Sequence, residues 1–172
     1  MDTPQAMVES YARTVQREID QRNSLAGETR KRLVWFVAIA GYVLLNVSTF
    51  GQALVGRALT KQEIFILVLP WILSSVFALA AHFMSDECDV KAHKYYTNKL
   101  AMIDIHLADL ADEIFDVEKF KAIMYDQEPE IKALKQDSDK SAKKVNRFES
   151  LSMLLIVIGF AWSVIFPLLL HN

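Results

Sequence analysis

The sequence predicts an all-α integral membrane protein, with three transmembrane helices continuing into a cytosolic helical bundle or coiled coil. Three stretches, 33–56, 64–85 and 150–172, contain no Lys, Arg, Asp or Glu. At about 1.5 Å rise per residue, each is long enough to cross a hydrocarbon core of about 30 Å as a helix. In the charged segments, apolar residues recur at three- and four-residue steps, the period of an amphipathic helix. The basic residues are shared unevenly among those segments, which orients the spans.

Composition narrows the function classes. The chain has 172 residues, of which 52% are hydrophobic, and a formal net charge of -2. That balance gives no electrostatic basis for nucleic-acid binding. The first apolar run follows about thirty mixed-charge residues, so it reads as a span rather than a cleaved signal, whose apolar core is about 7–15 residues. The single cysteine, Cys88, cannot form an intramolecular disulfide and is expected on the reducing, cytosolic side.

Residues 1–32 predict a cytosolic amphipathic helix, with Val8, Tyr11, Val15 and Ile19 forming its apolar stripe. Asp2-Thr3-Pro4 resembles a helix start, a capping residue before a first-turn proline. The first span covers 33–56, a short outer loop 57–63 and the second span 64–85. Residues 86–149 predict a cytosolic helical hairpin that turns near 126–130, around Pro129. Its first limb carries a heptad seam of Leu100, Ile103, Leu107, Leu110, Ile114 and Val117, which is expected to pack a bundle or an oligomer. The return limb shows a weaker stripe of Ile131, Leu134, Ser138, Ala142, Val145 and Phe148 and runs into the third span, 150–172.

Length forces one further break. A straight helix from Asp86 to Tyr125 would extend about 60 Å, whereas the return from Glu130 to Glu149 covers about 30 Å. A break near Phe115-Asp116 resolves the mismatch, with Asp116 capping a short helix over 117–126.

Orientation follows from charge. Six basic residues precede the first span, two lie between spans one and two, eleven occupy 86–149, and none follows the third span. The positive-inside rule places the N-terminus and 86–149 in the cytoplasm and the C-terminus outside, in an inner (plasma) membrane.

The chain predicts no enzyme. It lacks Gly-x-Ser-x-Gly and any phosphate-cradling glycine loop, and neither catalytic residues nor a cofactor are expected. Asp86, Cys88, Asp89 and His93 hold metal-type donors, as do His106, Asp109 and Glu113. No second cluster completes either set, and Glu-x-x-His is absent, so no metal site is expected. The spans lack the midplane charge that ion-coupled carriers use.

A polar series late in span one remains: Asn46, Ser48, Thr49 and Gln52. Two readings compete. These groups, with Ser74, Ser75, Ala78 and the Gly159-x-x-x-Ser163 motif, can be packing glue within or between protomers. Alternatively Asn46, Thr49, Gln52 and Ala53 line a water-filled path in a homo-oligomer, since three helices from one chain cannot enclose a pore. On the cytosolic side, Asp109, Asp112 and Asp116 offer an acidic face that can dock a basic protein partner.

The order of an N-terminal amphipathic helix (Thr3–Arg32), a two-span hairpin with a tiny outer loop (Leu33–Ser85) and a long cytosolic helix (Asp86–Met124) resembles the SLATT family of bacterial membrane effectors. The likeness is one of architecture and covers about two-thirds of the chain. The third span is an addition to the two-span pattern. The resemblance implies a pore-forming effector in nucleotide-signalled defence against phage. The leading expectation is an oligomeric membrane pore or permeability effector controlled by the cytosolic module. The alternative is a non-conducting adaptor, immunity or exclusion protein that binds its partner through the acidic helix.

Overall fold

The computed structural model describes residues 4–111 and 114–171, which form four helices: α1 (Pro4–Val55), α2 (Lys61–Ala111), α3 (Val117–Met124) and α4 (Pro129–His171). No strand occurs among them. The expected helix start at Asp2-Thr3 falls outside the described residues. Helices α2 and α4 are long and apolar enough to cross a membrane. Helix α1 counts as a third if its limbs, bent by 51° between Val47 and Thr49, form one span.

The chain divides into two compact units. The first takes residues 1–28 and 85–143, and the second takes 29–84 and 144–172.

In the first unit, the α1 stripe is buried as its period requires. Val8 and Val15 pack with Ile103 of α2 and with Phe120 and Ile123 of α3, bordered by Tyr11, Ile19, Leu100, Leu107 and Leu110. Helix α2 stops before the expected break. Asp116 is the N-cap of α3, its carboxylate accepting from the backbone N–H groups of Glu118 and Lys119 at 3.0 and 3.1 Å. The chain reverses after Tyr125 with Asp126 at φ 54, a left-handed conformation that Asp tolerates better than most residues. Pro129 then starts α4, where its missing N–H costs no hydrogen bond. On α4, Ile131 and Ser138 are buried.

In the second unit, three apolar clusters follow one another along the helices. Leu33, Ala78 and Ala81 form one, with Phe148 against it. Ala40, Trp71 and Ile156 form the next. Val47, Val55, Leu59 and Leu67 form the third, bordered by Trp162, Phe166 and Leu170. Close approach of α2 and α4 depends on small residues. Ser74 and Ser152, both fully buried, each donate to the other's carbonyl at 3.0 Å. A Cβ on Gly159 would come within 2.8 Å of the Trp71 indole.

Pro70 sits inside α2 and cannot donate to Ile66, four residues earlier. The Trp162 indole N–H donates to that carbonyl instead, at 3.1 Å. A carbonyl freed in an apolar setting is thereby satisfied from the neighbouring helix. Before α2, Thr60 and Glu63 form a reciprocal capping box: the Glu63 carboxylate accepts from the Thr60 N–H and Thr60 Oγ1 accepts from the Glu63 N–H. Arg57 clamps the same carboxylate at 2.7 Å.

Candidate functional site

Two places concentrate polar groups, one in each unit. In the second unit, the packing sorts the small and polar residues of the spans. Ser74, Ser152, Gly159 and Ser163 are buried between helices of the same chain, and Ser163 accepts from the Trp71 indole N–H at 3.2 Å. The span-one series is placed differently. The buried face of α1 runs through Leu33, Ala40, Val47, Gly51 and Val55, and Asn46, Thr49, Gln52 and Ala53 all lie on the exposed remainder. The Ser48 side chain lies outside the described residues. Asn46 Nδ2 donates back to the Tyr42 carbonyl at 2.8 Å, a local bond that leaves the amide on the helix exterior. Thr49, Gln52 and Ala53 share this exposed face, and Asn46 stands at its edge, lining a groove of about 340 Å³ with Trp71, Phe160 and Ser163. Neighbouring exposed residues, including Leu45, are large and apolar.

In the first unit, the seam candidates part company. Leu100, Ile103, Leu107 and Leu110 pack on the α1 stripe of the same chain. Ile114 and Val117 are 73% and 41% exposed, because the chain breaks between α2 and α3 and the core is completed by Phe120 and Ile123. Of the acidic candidates, Asp116 holds the α3 cap and Asp109 lies 3.4 Å from Nδ1 of buried His106. Asp112 and Glu113 lie outside the described residues. Among the described residues, no group of three His, Cys, Asp or Glu could hold a metal ion. Cys88 is buried and accepts from Arg22 at 3.4 Å. Burial pushes its thiol above the ordinary value, against the lowering effect of Arg22.

Periodicity did not reveal the centre of this unit. Lys99 is 3% exposed, and its ammonium meets Asp126 Oδ1 at 2.6 Å and the Tyr95 hydroxyl at 3.1 Å. It also sits 5.4 Å from the ring centroids of both Tyr11 and Tyr95, within cation–π range. The Tyr95 hydroxyl donates to Asp126 Oδ1 at 2.8 Å, and Lys135 reaches Oδ2 at 2.5 Å. The Tyr11 hydroxyl donates to the Met124 carbonyl at 2.9 Å. The network fastens the α3–α4 turn to α1 and α2. Burial alone would lower the Lys99 ammonium, but bonds to Asp126 and Tyr95 hold it above its ordinary value. Burial would likewise raise Asp126, yet Lys135, Lys99 and Tyr95 hold it below the ordinary carboxylate value. Burial, assisted by Asp126, pushes the Tyr11 phenol well up; burial also raises Tyr95. Beside this network is a cavity of about 280 Å³, lined among others by Arg22, Tyr95, Lys99, Asp126, Lys135 and Ser138.

No protein-family model, no curated protein and no solved structure matches this chain.

Proposed function

We propose that this chain forms a homo-oligomeric membrane pore or permeability effector, with α1 spanning the bilayer beside α2 and α4. One observation carries the reading: the polar series of α1 is exposed, whereas Ser74 of α2 and Ser152 and Ser163 of α4 are buried. Hydrocarbon does not hydrogen-bond an exposed amide, and burial of such a group without partners is costly. An exposed face that carries Asn46 and Thr49 is accommodated against a second copy or by water in a conduit between copies. The SLATT-like order of elements supports the same reading and suggests a role in bacterial defence. The charge bias supports an inner-membrane orientation with the N-terminus in the cytoplasm.

The test is dye release from liposomes. The wild-type chain releases a trapped small dye, and N46L/T49L/Q52L abolishes release while remaining oligomeric in detergent. Unchanged release by the triple variant overturns the conduit.

The alternative is a non-conducting adaptor, immunity or exclusion protein. It rests on the acidic residues Asp109, Asp112 and Asp116, of which Asp116 is exposed and partly committed to the α3 cap. Reversal of Asp109 and Asp112 to Lys leaves that cap intact and removes partner capture on this reading.

A further inference from the structure

Leu45 is 84% exposed, more than any other large apolar side chain among the described residues. At about 100° of rotation per residue, Thr49 lies between Leu45 on one side of α1 and Asn46 on the other. Gly41 and Ala38, four and seven positions before Leu45, belong to its side of the helix. A Cβ at Gly41 would meet no atom within 4 Å, so nothing in its own chain calls for glycine there, unlike Gly51 and Gly159. Glycine weakens a helix interior relative to alanine, and close approach of a helix from another chain accounts for its place.

The Asn46 side of α1 carries the groove of about 340 Å³. Its α1 wall runs from Tyr42 to Phe50, its far wall is Phe160 and Val164 of α4, and buried Trp71 forms its floor. Position 45 falls within the stretch 42–50, so the protruding leucine and the groove stand at the same level of α1. The groove takes an apolar side chain without stranding a polar one, because Ser163 is bonded to Trp71 and Asn46 to the Tyr42 carbonyl.

We propose that Leu45 of one copy enters this groove on the next copy, and that repetition of the contact closes a ring. Copies in one membrane, related by rotation about its normal, present every residue at the same depth, so the leucine meets a groove of its own level. The two features lie on different sides of α1, which makes the contact head-to-tail, the type that builds rings. Thr49, between them, is left at the centre of the ring. Ala38 and Gly41 let the neighbour approach. This contact rests on the homo-oligomeric reading above and names its interface.

The test places Leu45→Cys and Val164→Cys together in a full-length Cys88→Ser chain, reconstituted in liposomes and oxidised. A ladder of cross-linked oligomers is expected. Chains carrying one of these cysteines each should form a mixed cross-linked dimer when reconstituted together, and neither should cross-link alone. Leu45→Cys with Leu154→Cys, at another exposed position of α4, should give no ladder. Gly41→Leu has room in its own chain and should remain folded by circular dichroism. It should nevertheless lower the ladder about tenfold or more, because it overpacks the contact. The contact is overturned if Val164→Cys gives no more ladder than Leu154→Cys, as it would with lipid in the groove. Self-cross-linking of Leu45→Cys as readily as to Val164→Cys, the mark of a two-fold contact, overturns it too, as does an intact ladder in Gly41→Leu. Dye release from the same liposomes under reducing conditions separates the two claims. A ladder without release overturns the conduit and leaves the contact standing, whereas release without a ladder overturns the contact alone.

Discussion

Lys99 and Asp126 stand 27 positions apart in the chain and meet at 2.6 Å in the interior of the first unit. Lys99 begins on α2, Asp126 sits in the α3–α4 turn, and the contact fastens that turn in place. Removing one member of a buried pair leaves the other poorly compensated. Lys99→Met is expected to lower the stability of the chain in detergent by about 3 kcal/mol. Denaturant unfolding followed by circular dichroism measures this, with Lys132→Met as an exposed control that stays within about 0.5 kcal/mol of wild type.

The same network sets a pH signature with two edges. Asp126 is held below its ordinary value of 3.8, so its contribution is complete above that pH and is lost as pH falls through its folded value. Lys99 is held above 10.5, and the Tyr11 and Tyr95 phenols above 10.0, so their contributions are complete below about pH 10 and are lost above it. Thermal unfolding of wild type minus D126N, Y95F and K99M should show the pair's contribution flat from about pH 5 to pH 9. A midpoint that follows the pair through neutral pH would contradict this.

Outside the first unit, the first turn of α2 has one acid edge. Glu63 is drawn down to about 2 by its hydrogen bonds from Arg57 and from the Thr60 N–H. The stabilisation it lends is present above the ordinary value of 4.5 and disappears as pH falls toward 2. Carbon-13 NMR of the labelled Glu63 carboxyl should titrate below pH 3, and E63Q should remove the transition.

Two glycines of the second unit should respond differently to alanine. A Cβ at Gly159 meets the rigid, fully buried Trp71 ring at 2.8 Å, whereas one at Gly51 meets the mobile end of Leu59 at 2.6 Å. Gly159→Ala should cost about 1–3 kcal/mol and disturb the Trp71–Ser163 hydrogen bond. Gly51→Ala should be milder, because a leucine tip rotates away. Equal losses of thermal stability would show that α2 and α4 do not approach as closely as described.

Asp116 is a cap before it is a docking group. Asp116→Ala should cost about 1 kcal/mol, and Asp116→Ser should recover most of it. Hydrogen exchange at Glu118 and Lys119 reads the effect directly, since their amides lose their acceptor.

These residues mark how far the chain could be read in one dimension. The break at Phe115-Asp116, the cap, the turn at Pro129 and the α1 stripe were legible because each is local or periodic. Ile114 and Val117 leave the packed stripe of the same chain at the break itself. A new helix starts with a new phase, and Phe120 and Ile123 become its buried face. The Thr60-x-x-Glu63 box was written in four consecutive residues, but it lies in a loop that apolar periodicity does not mark. The centre of the first unit was hidden more deeply. Tyr95 and Asp126 are 31 positions apart and Tyr11 and Met124 are 113 apart, and no spacing rule joins them. In the spans, polarity was visible but direction was not: only packing separates Ser74 and Ser163, which face inward, from Asn46 and Thr49, which face outward.

The central claim is that the outward face of α1 meets water. The measurement is labelling of Thr49→Cys by a charged, membrane-impermeant thiol reagent in liposomes during current recording. A Cys88→Ser background removes the single native thiol, and Leu154→Cys on the exposed apolar face of α4 serves as the lipid-facing control. A conduit predicts rapid labelling at position 49 with block of the current, and no labelling at 154. Equal protection of both positions, with current unaffected, would contradict it.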